Sequence, residues 1–226
     1  SPATISYAPS SPAAGTVGVA YSQSLASVSG GVAPYTYAIA SGSLPLGMTL
    51  ASNGTLSGTP SAGGSFNFSV TVTDSSGGSG PVSATSGPLL LTVNAPTITI
   101  TPPTLPTASA GVAYTQNLTA AGGSGTYTYA VTAGALPPGV TLSTAGVVSG
   151  TPTAAGSFPL TITATDSSGG SGPYTGSQPY TLNVTAPSLT LTPPAGTLSG
   201  TAGAPLNVPF SAGNGTAPYT FDISAG

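Results

Sequence analysis

Lysine, arginine, histidine, glutamate, cysteine and tryptophan are all missing from this 226-residue chain, and three aspartates carry its whole formal charge of −3. Each absence closes a class of function. Nucleic-acid binders gain most of their affinity by neutralising phosphates with Lys and Arg, so nucleic acid and anionic membrane surfaces are excluded as partners. Without histidine there is no Ser-His-Asp triad; without lysine there is no Schiff base and no Ser-Lys pair. Without cysteine there is no disulfide framework, and stability has to come from packing. No window of about 18 apolar residues occurs, so no membrane insertion is expected in this segment. The opening Ser1-Pro2-Ala3-Thr4-Ile5 reads as the approach to a strand, not as a leader.

What is present repeats. The run Phe66, Phe68, Val70, Val72 alternates with polar residues, follows Gly58-Thr59-Pro60 and stops at Asp74-Ser75-Ser76-Gly77-Gly78. Ninety-two residues later Gly150-Thr151-Pro152 leads into Phe158, Leu160, Ile162 and Ala164, and the run stops at Asp166-Ser167-Ser168-Gly169-Gly170. Period-two alternation places the apolar set on one face and the hydroxyls on the other, the pattern of a half-buried β-strand. Glycine (33) and proline (24) are abundant enough to suggest disorder, but 38 % hydrophobic residues in strict alternation supply a core. They read as strand punctuation. Solubility rests on Ser and Thr hydroxyls in place of charge, and a net charge this close to zero favours self-association.

The period runs along the whole chain. Gly18-Val19-Ala20-Tyr21 is matched by Gly111-Val112-Ala113-Tyr114, and in the third copy by the segment Gly203 to Phe210. Tyr35, Tyr127 and Tyr219 stand at successive steps of 92. Asn53-Gly54, between Met48-Thr49-Leu50 and Thr55-Leu56-Ser57, predicts a two-residue hairpin turn with both residues at positive φ. Short strands, regular turn signals and no helical period predict an all-β chain of tandem immunoglobulin-like β-sandwiches, two complete and one partial. The expected domains are 1–94, 95–185 and 186–226, the last holding first strands only. The third is expected to continue in a longer array. The junctions Asn94-Ala95-Pro96 and Thr185-Ala186-Pro187 are short and stiffened by proline, so limited bending is expected. Each domain should span roughly 40 Å, from strands of about 7 residues at ~3.3 Å each plus loops.

Few residues are left to carry chemistry. Glycosidases pair two carboxylates across one bond, and each repeat offers a single Asp, so no catalytic residue is expected and the chain is read as no enzyme. Asp74 and Asp166 sit at a strand end where a calcium ligand could lie, but calcium takes six to eight oxygens with several carboxylates. The simpler expectation is that each caps its loop, accepting N–H bonds from Ser76 or Gly77 and from Ser168 or Gly169. Asp222 aligns with Ala38 and Ala130 and belongs to no repeated site. Tyr35 and Tyr37, like Tyr127 and Tyr129, share a face of what reads as a central strand and are expected in the core with hydroxyls at the rim. The loops Ser75 to Pro88 and Ser167 to Pro179 are the candidate contact surface, with Ser75, Ser167 and Tyr174 as its residues; Val82 is the counterpart of Tyr174.

Four segments, Ala33-Pro34-Tyr35-Thr36-Tyr37, Leu136-Pro137-Pro138-Gly139-Val140-Thr141-Leu142, Ser149 to Gly156 and Ala164 to Gly169, resemble the bacterial putative-Ig repeat, a cadherin-like sandwich strung in tandem through large cell-surface and autotransporter adhesins. The resemblance implies an extracellular location on a bacterial cell. It also implies a stalk or fibre segment whose partners are neighbouring repeats of the same longer chain, with lateral self-association into a fibre as a further expectation. Two alternatives stay open: an adhesin module that binds a ligand through the long Gly/Ser loops, and a subunit of a filament or sheath. No cofactor is expected, apart from the calcium question above.

Overall fold

The computed structural model describes residues 4–78, 80–192, 199–214 and 218–222. Among these, every regular element is a strand. The first repeat opens with β1 (Ile5–Tyr7), β2 (Gly15–Thr16), β3 (Tyr21–Ser24), β4 (Val28–Gly30) and β5 (Thr36–Gly42). It continues with β6 (Met48–Leu50), β7 (Thr55–Gly58), β8 (Ala62–Thr73), β9 (Ser83–Thr85) and β10 (Leu89–Asn94). The second repeat opens with β11 (Thr99–Thr101), β12 (Ala108–Ser109), β13 (Tyr114–Asn117), β14 (Thr119–Ala121) and β15 (Thr128–Gly134). It closes with β16 (Val140–Leu142), β17 (Val147–Gly150), β18 (Gly156–Thr165), β19 (Gly169–Gly170) and β20 (Thr175–Thr185). Two more strands, β21 (Thr190–Thr192) and β22 (Ser211–Gly213), pair antiparallel in the third.

The long alternating strand organises each repeat. In the first, β8 pairs antiparallel with β10 (Leu91 opposite Phe66), with β9 (Val72 opposite Ala84) and with β5 (Tyr37 opposite Val72). The parallel strand β2 extends this sheet beyond β10. The other face is built from β3, β7 and β6, with β1 paired to β4. The second repeat follows the same plan, with the sheet order β12-β20-β18-β15 and a second sheet β13-β17-β16. Alternation along β8 sends Phe68, Val70 and Val72 inward to meet Leu56, Met48 and Leu25, all buried. Tyr7 and Tyr37 meet edge to face, with centroids 5.8 Å apart and planes at 64°. The Tyr7 hydroxyl donates to Leu25 O at 3.1 Å, and burial, then the neighbouring Tyr37, push its pKa up to about 12. In the second repeat Leu160, Ile162 and Ala164 along β18 and Tyr180, Leu182 and Val184 along β20 are buried in the same alternation.

Four expectations are corrected. The strand bearing Tyr37 is not central: β5 pairs with β8 alone and forms an outer strand. Asn53-Gly54 is not a two-residue turn. Leu50 pairs with Leu56, Ala51 N donates to Thr55 O, and only Gly54 takes a positive φ (85°). Asn53 instead accepts the Thr55 N–H on its side chain, so it supplies an Asx turn where the left-handed geometry was expected. The long loops are partly strand, since β9 and the first half of β20 lie inside them. In the third repeat the segment Gly203 to Phe210 forms no strand. The third copy of the Ala-Pro-Tyr strand, 217–223, lies partly outside the described residues.

Internal contacts divide the chain into two compact units, residues 1–101 with 119–130 and 163–178, and residues 102–118 with 131–162 and 179–226. The first unit therefore holds the first repeat together with one tip of the second. Within it β11 pairs with β14, and β19 runs parallel to Ala62 and Gly63 and extends the β8 sheet.

Candidate functional site

The strongest chemistry in the chain is built twice, where the long alternating strand ends in Asp-Ser-Ser. The Asp74 carboxylate accepts four hydrogen bonds. Oδ1 takes Ser76 N (3.3 Å), Ser76 Oγ (2.8 Å) and Val82 N (2.7 Å), and Oδ2 takes Val32 N (3.0 Å). Asp166 repeats the arrangement bond for bond. Its Oδ1 accepts Ser168 N (3.3 Å), Ser168 Oγ (2.6 Å) and Tyr174 N (2.7 Å), and its Oδ2 accepts Ser124 N (3.1 Å). Both side chains are buried, at 5 % and 4 % exposure. The serine that follows each aspartate closes the clamp from the other side: Ser75 N and Oγ donate to Val32 O, and Ser167 N and Oγ donate to Ser124 O. In each repeat the tripeptide ties the loop after the long strand to the glycine-rich loop before the tyrosine strand.

Glycine is required beside each carboxylate. Gly31 has φ +71°, and a Cβ there would stand 3.0 Å from Asp74 Oδ2; a Cβ at Gly123 would run into the Asp166 carboxylate. The electrostatics follow. Burial pushes each carboxyl pKa up, but the four donors outweigh it: Asp74 falls to about 2 and Asp166 is also lowered. Burial, then the negative Asp166, raises the Tyr127 hydroxyl.

These are carboxylates held ionised by hydrogen-bond donors. The groups against each of them, three backbone amides and one serine hydroxyl, all donate to the carboxylate. The calcium that the cadherin-like resemblance brings to mind does not fit: the groups around each carboxylate are N–H and O–H donors, and a cation would have to displace them. Among the described residues no three Asp, Glu, His or Cys gather in one place. Of the expected capping donors, Ser76 and Ser168 are in place, whereas the Gly169 amide goes elsewhere, to Ser61 O at 2.8 Å. The donors at Val32 and Ser124, and at Val82 and Tyr174, are not marked by any pattern of side chains. They are backbone amides, and the pairs Val/Ser and Val/Tyr share no side-chain signature.

Of the candidate contact residues, Ser75 and Ser167 are engaged in the clamps. Tyr174 is half-buried and packs against the first repeat's core cluster, its ring lying over Gly63. Tyr35 is half-buried with its hydroxyl donating to Gly30 O (2.7 Å), and Tyr37 and Tyr129 are buried.

The family described as "Putative Ig domain" matches residues 2–94 and 96–185. Among curated proteins none matches the chain in sequence. Similar solved structures include protocadherin gamma B2 extracellular cadherin domains 3–6, at 15 % identity and TM-score 0.36 over 81 % of this chain and 52 % of that one. Mouse cadherin-23 EC22–24 is similar at 18 % identity and TM-score 0.34, over 80 % of this chain and 66 % of that one. The endo-fucoidan hydrolase MfFcnA9 of glycoside hydrolase family 107 is similar at 21 % identity and TM-score 0.32, over 82 % and 34 %. The chain thus spans about half the length of the first of these, and overlaps at this level carry nothing about function.

Proposed function

Because this chain belongs to the Putative Ig domain family, we propose that it is a non-enzymatic spacer segment of a bacterial extracellular surface protein, its repeats (1–94, 95–185 and the start of a third from 186) acting as semi-rigid stalk modules. One observation carries the reading. The carboxylate of each complete repeat, Asp74 and Asp166, is saturated by four donors and spends its charge on holding loops together. In the two complete repeats the one charged group apiece is structural, so each presents hydroxyls and amides outward, which suits a spacer.

The support for stiffness is β19, which adds Gly169–Gly170 to the sheet edge at Ala62–Gly63. Small-angle scattering tests the reading. Removing the 92 residues 95–186 should shorten the maximum dimension by roughly 40 Å, the length of one sandwich. An unchanged dimension contradicts the spacer. The ligand-binding alternative is favoured by one feature, the exposed Gly77-Gly78 tip of the first repeat. If that reading holds, replacing residues 75–82 with a plain turn abolishes adhesion of cells displaying the chain. The spacer reading expects adhesion to persist.

A further inference from the structure

The clamped loop of the second repeat has a use beyond its own fold. Gly169 N donates to Ser61 O (2.8 Å), Ser171 N donates to Gly63 O (3.0 Å), and the Tyr174 ring occupies the space over Gly63. A Cβ at Gly63 would collide with the Tyr174 hydroxyl, so the tyrosine fits only because position 63 is glycine. The surface receiving this loop is the base of the first repeat, and the same base recurs 92 residues later as Thr153, Ala154, Ala155 and Gly156. There it is open. Ala62 and Gly63 are buried, while Ala154 is half-buried and Ala155 exposed, and the long strand begins at Ala62 in the first repeat but only at Gly156 in the second. Ala155 lines a cavity of about 750 Å³ together with Gly111, Pro152, Thr153 and Pro187.

We propose that residues 153–156 are the socket for the Asp-Ser-Ser-Gly-Gly loop of a following Ig-like repeat, and that the residue at 155 selects which repeat can follow. Gly63 admits tyrosine at the position of Tyr174. Ala155 puts a methyl group into that space and so admits only a smaller residue, such as the valine that the first repeat carries at the equivalent position, Val82. Both Tyr174 and Val82 hold that place by the same two bonds to the clamp aspartate, the amide donating to Oδ1 and the carbonyl accepting the Asp N–H. The order of repeats is thereby written in a size match between one base residue and one loop residue. The inference rests on the spacer reading, but its test does not measure length.

The chain has no cysteine, so an introduced pair is read without background. An ideal Cβ at Gly169 lies 3.8 Å from Ala62 Cβ, the mean separation of a disulfide at about 3.8 Å. The full chain is prolonged after Gly226 by a copy of residues 43–94, which joins in register because Gly42, Gly134 and Gly226 are 92 apart. Ala154→Cys is combined with Gly77→Cys in the appended copy; Ala62→Cys with Gly169→Cys, in the same prolonged chain, is the reference pair. Under mild oxidation both pairs should close with loss of two thiols and a shift on a non-reducing gel. Adding Val82→Tyr in the appended copy should slow closure of the Ala154→Cys pair at least tenfold, and Ala155→Gly should restore it. The proposal is overturned if the reference pair closes and the new pair stays reduced, or if Val82→Tyr leaves closure unchanged. It is also overturned if neither pair closes in a chain with an intact unfolding transition. Failure here with a rod that still shortens on repeat deletion would leave the spacer standing and remove only the socket.

Discussion

Ala62 and Gly63 at the base of the first repeat are buried beneath Gly169, Gly170 and Tyr174, whereas Ala154 and Ala155, 92 residues on, are half-buried and exposed. The tips differ in the opposite sense. Beyond the adjoining residues of the chain, no described residue lies within 4 Å of where a Cβ of Gly77 or Gly78 would stand, while Gly169 and Gly170 lie against Ser61, Ala62 and Gly63. Both repeats carry the same clamp, so the clamp forms with its tip covered or bare. It is a property of the repeat; the strand addition is a property of the pair. A loop ordered beforehand by four hydrogen bonds to a carboxylate loses less conformational freedom on docking than a free glycine loop would.

The comparison is broken most severely by removing a clamp. Asp166→Ala leaves three backbone amides and a serine hydroxyl without their acceptor, and should cost about 3 kcal/mol in urea unfolding. Asp74→Ala should cost less, because its loop faces water and the freed amides can be solvated. Next comes the size match. Gly63→Ala forces Tyr174 from its seat and should destabilise by about 2 kcal/mol, as overpacking does. Ala155→Val, adding more bulk at the open base, should stay within about 0.5 kcal/mol. Equal costs at the two sites would mean that the first base is not closed as described.

Acid gives a smaller and graded effect. Both aspartates have folded pKa values below the unfolded carboxylate value of about 3.9. The unfolded chain therefore takes up protons first as the pH drops, so the contribution to stability is complete above about pH 4 and is lost towards the Asp74 value of about 2. Tm should be flat from neutral pH to about 4.5 and fall below it. Asp74→Asn with Asp166→Asn should flatten the fall. The smallest effect concerns metal. Because the clamp donors already occupy both oxygens of each carboxylate, EDTA or millimolar calcium should leave Tm unmoved, and a calcium-dependent rise would overturn the donor assignment.

Much of this is legible in the residues alone. Alternation from Phe66 to Val72 and from Phe158 to Ala164 predicts the buried strand of each sandwich, and Asp-Ser-Ser at its end predicts a capped loop. The remaining half of the clamp was hidden for a physical reason. Val32, Ser124, Val82 and Tyr174 contribute backbone amides, which any residue but proline supplies, and Val32 reaches Asp74 across 42 positions of sequence. The Asn53-Gly54 turn misled because asparagine satisfies the chain through its side chain as readily as through positive φ. The change from Gly63 to Ala155 looks like drift between copies; only the tyrosine lying over Gly63 reveals it as a difference in what each base can accept.

Amide hydrogen exchange on the unmodified chain tests the central claim most directly, by comparing Gly169 with its counterpart Gly77. A Gly169 amide donating to Ser61 O in an added strand should exchange slower than the exposed Gly77 amide by on the order of a hundredfold. Equal, fast exchange at the two glycines would show that the second repeat's loop does not join the first repeat's sheet.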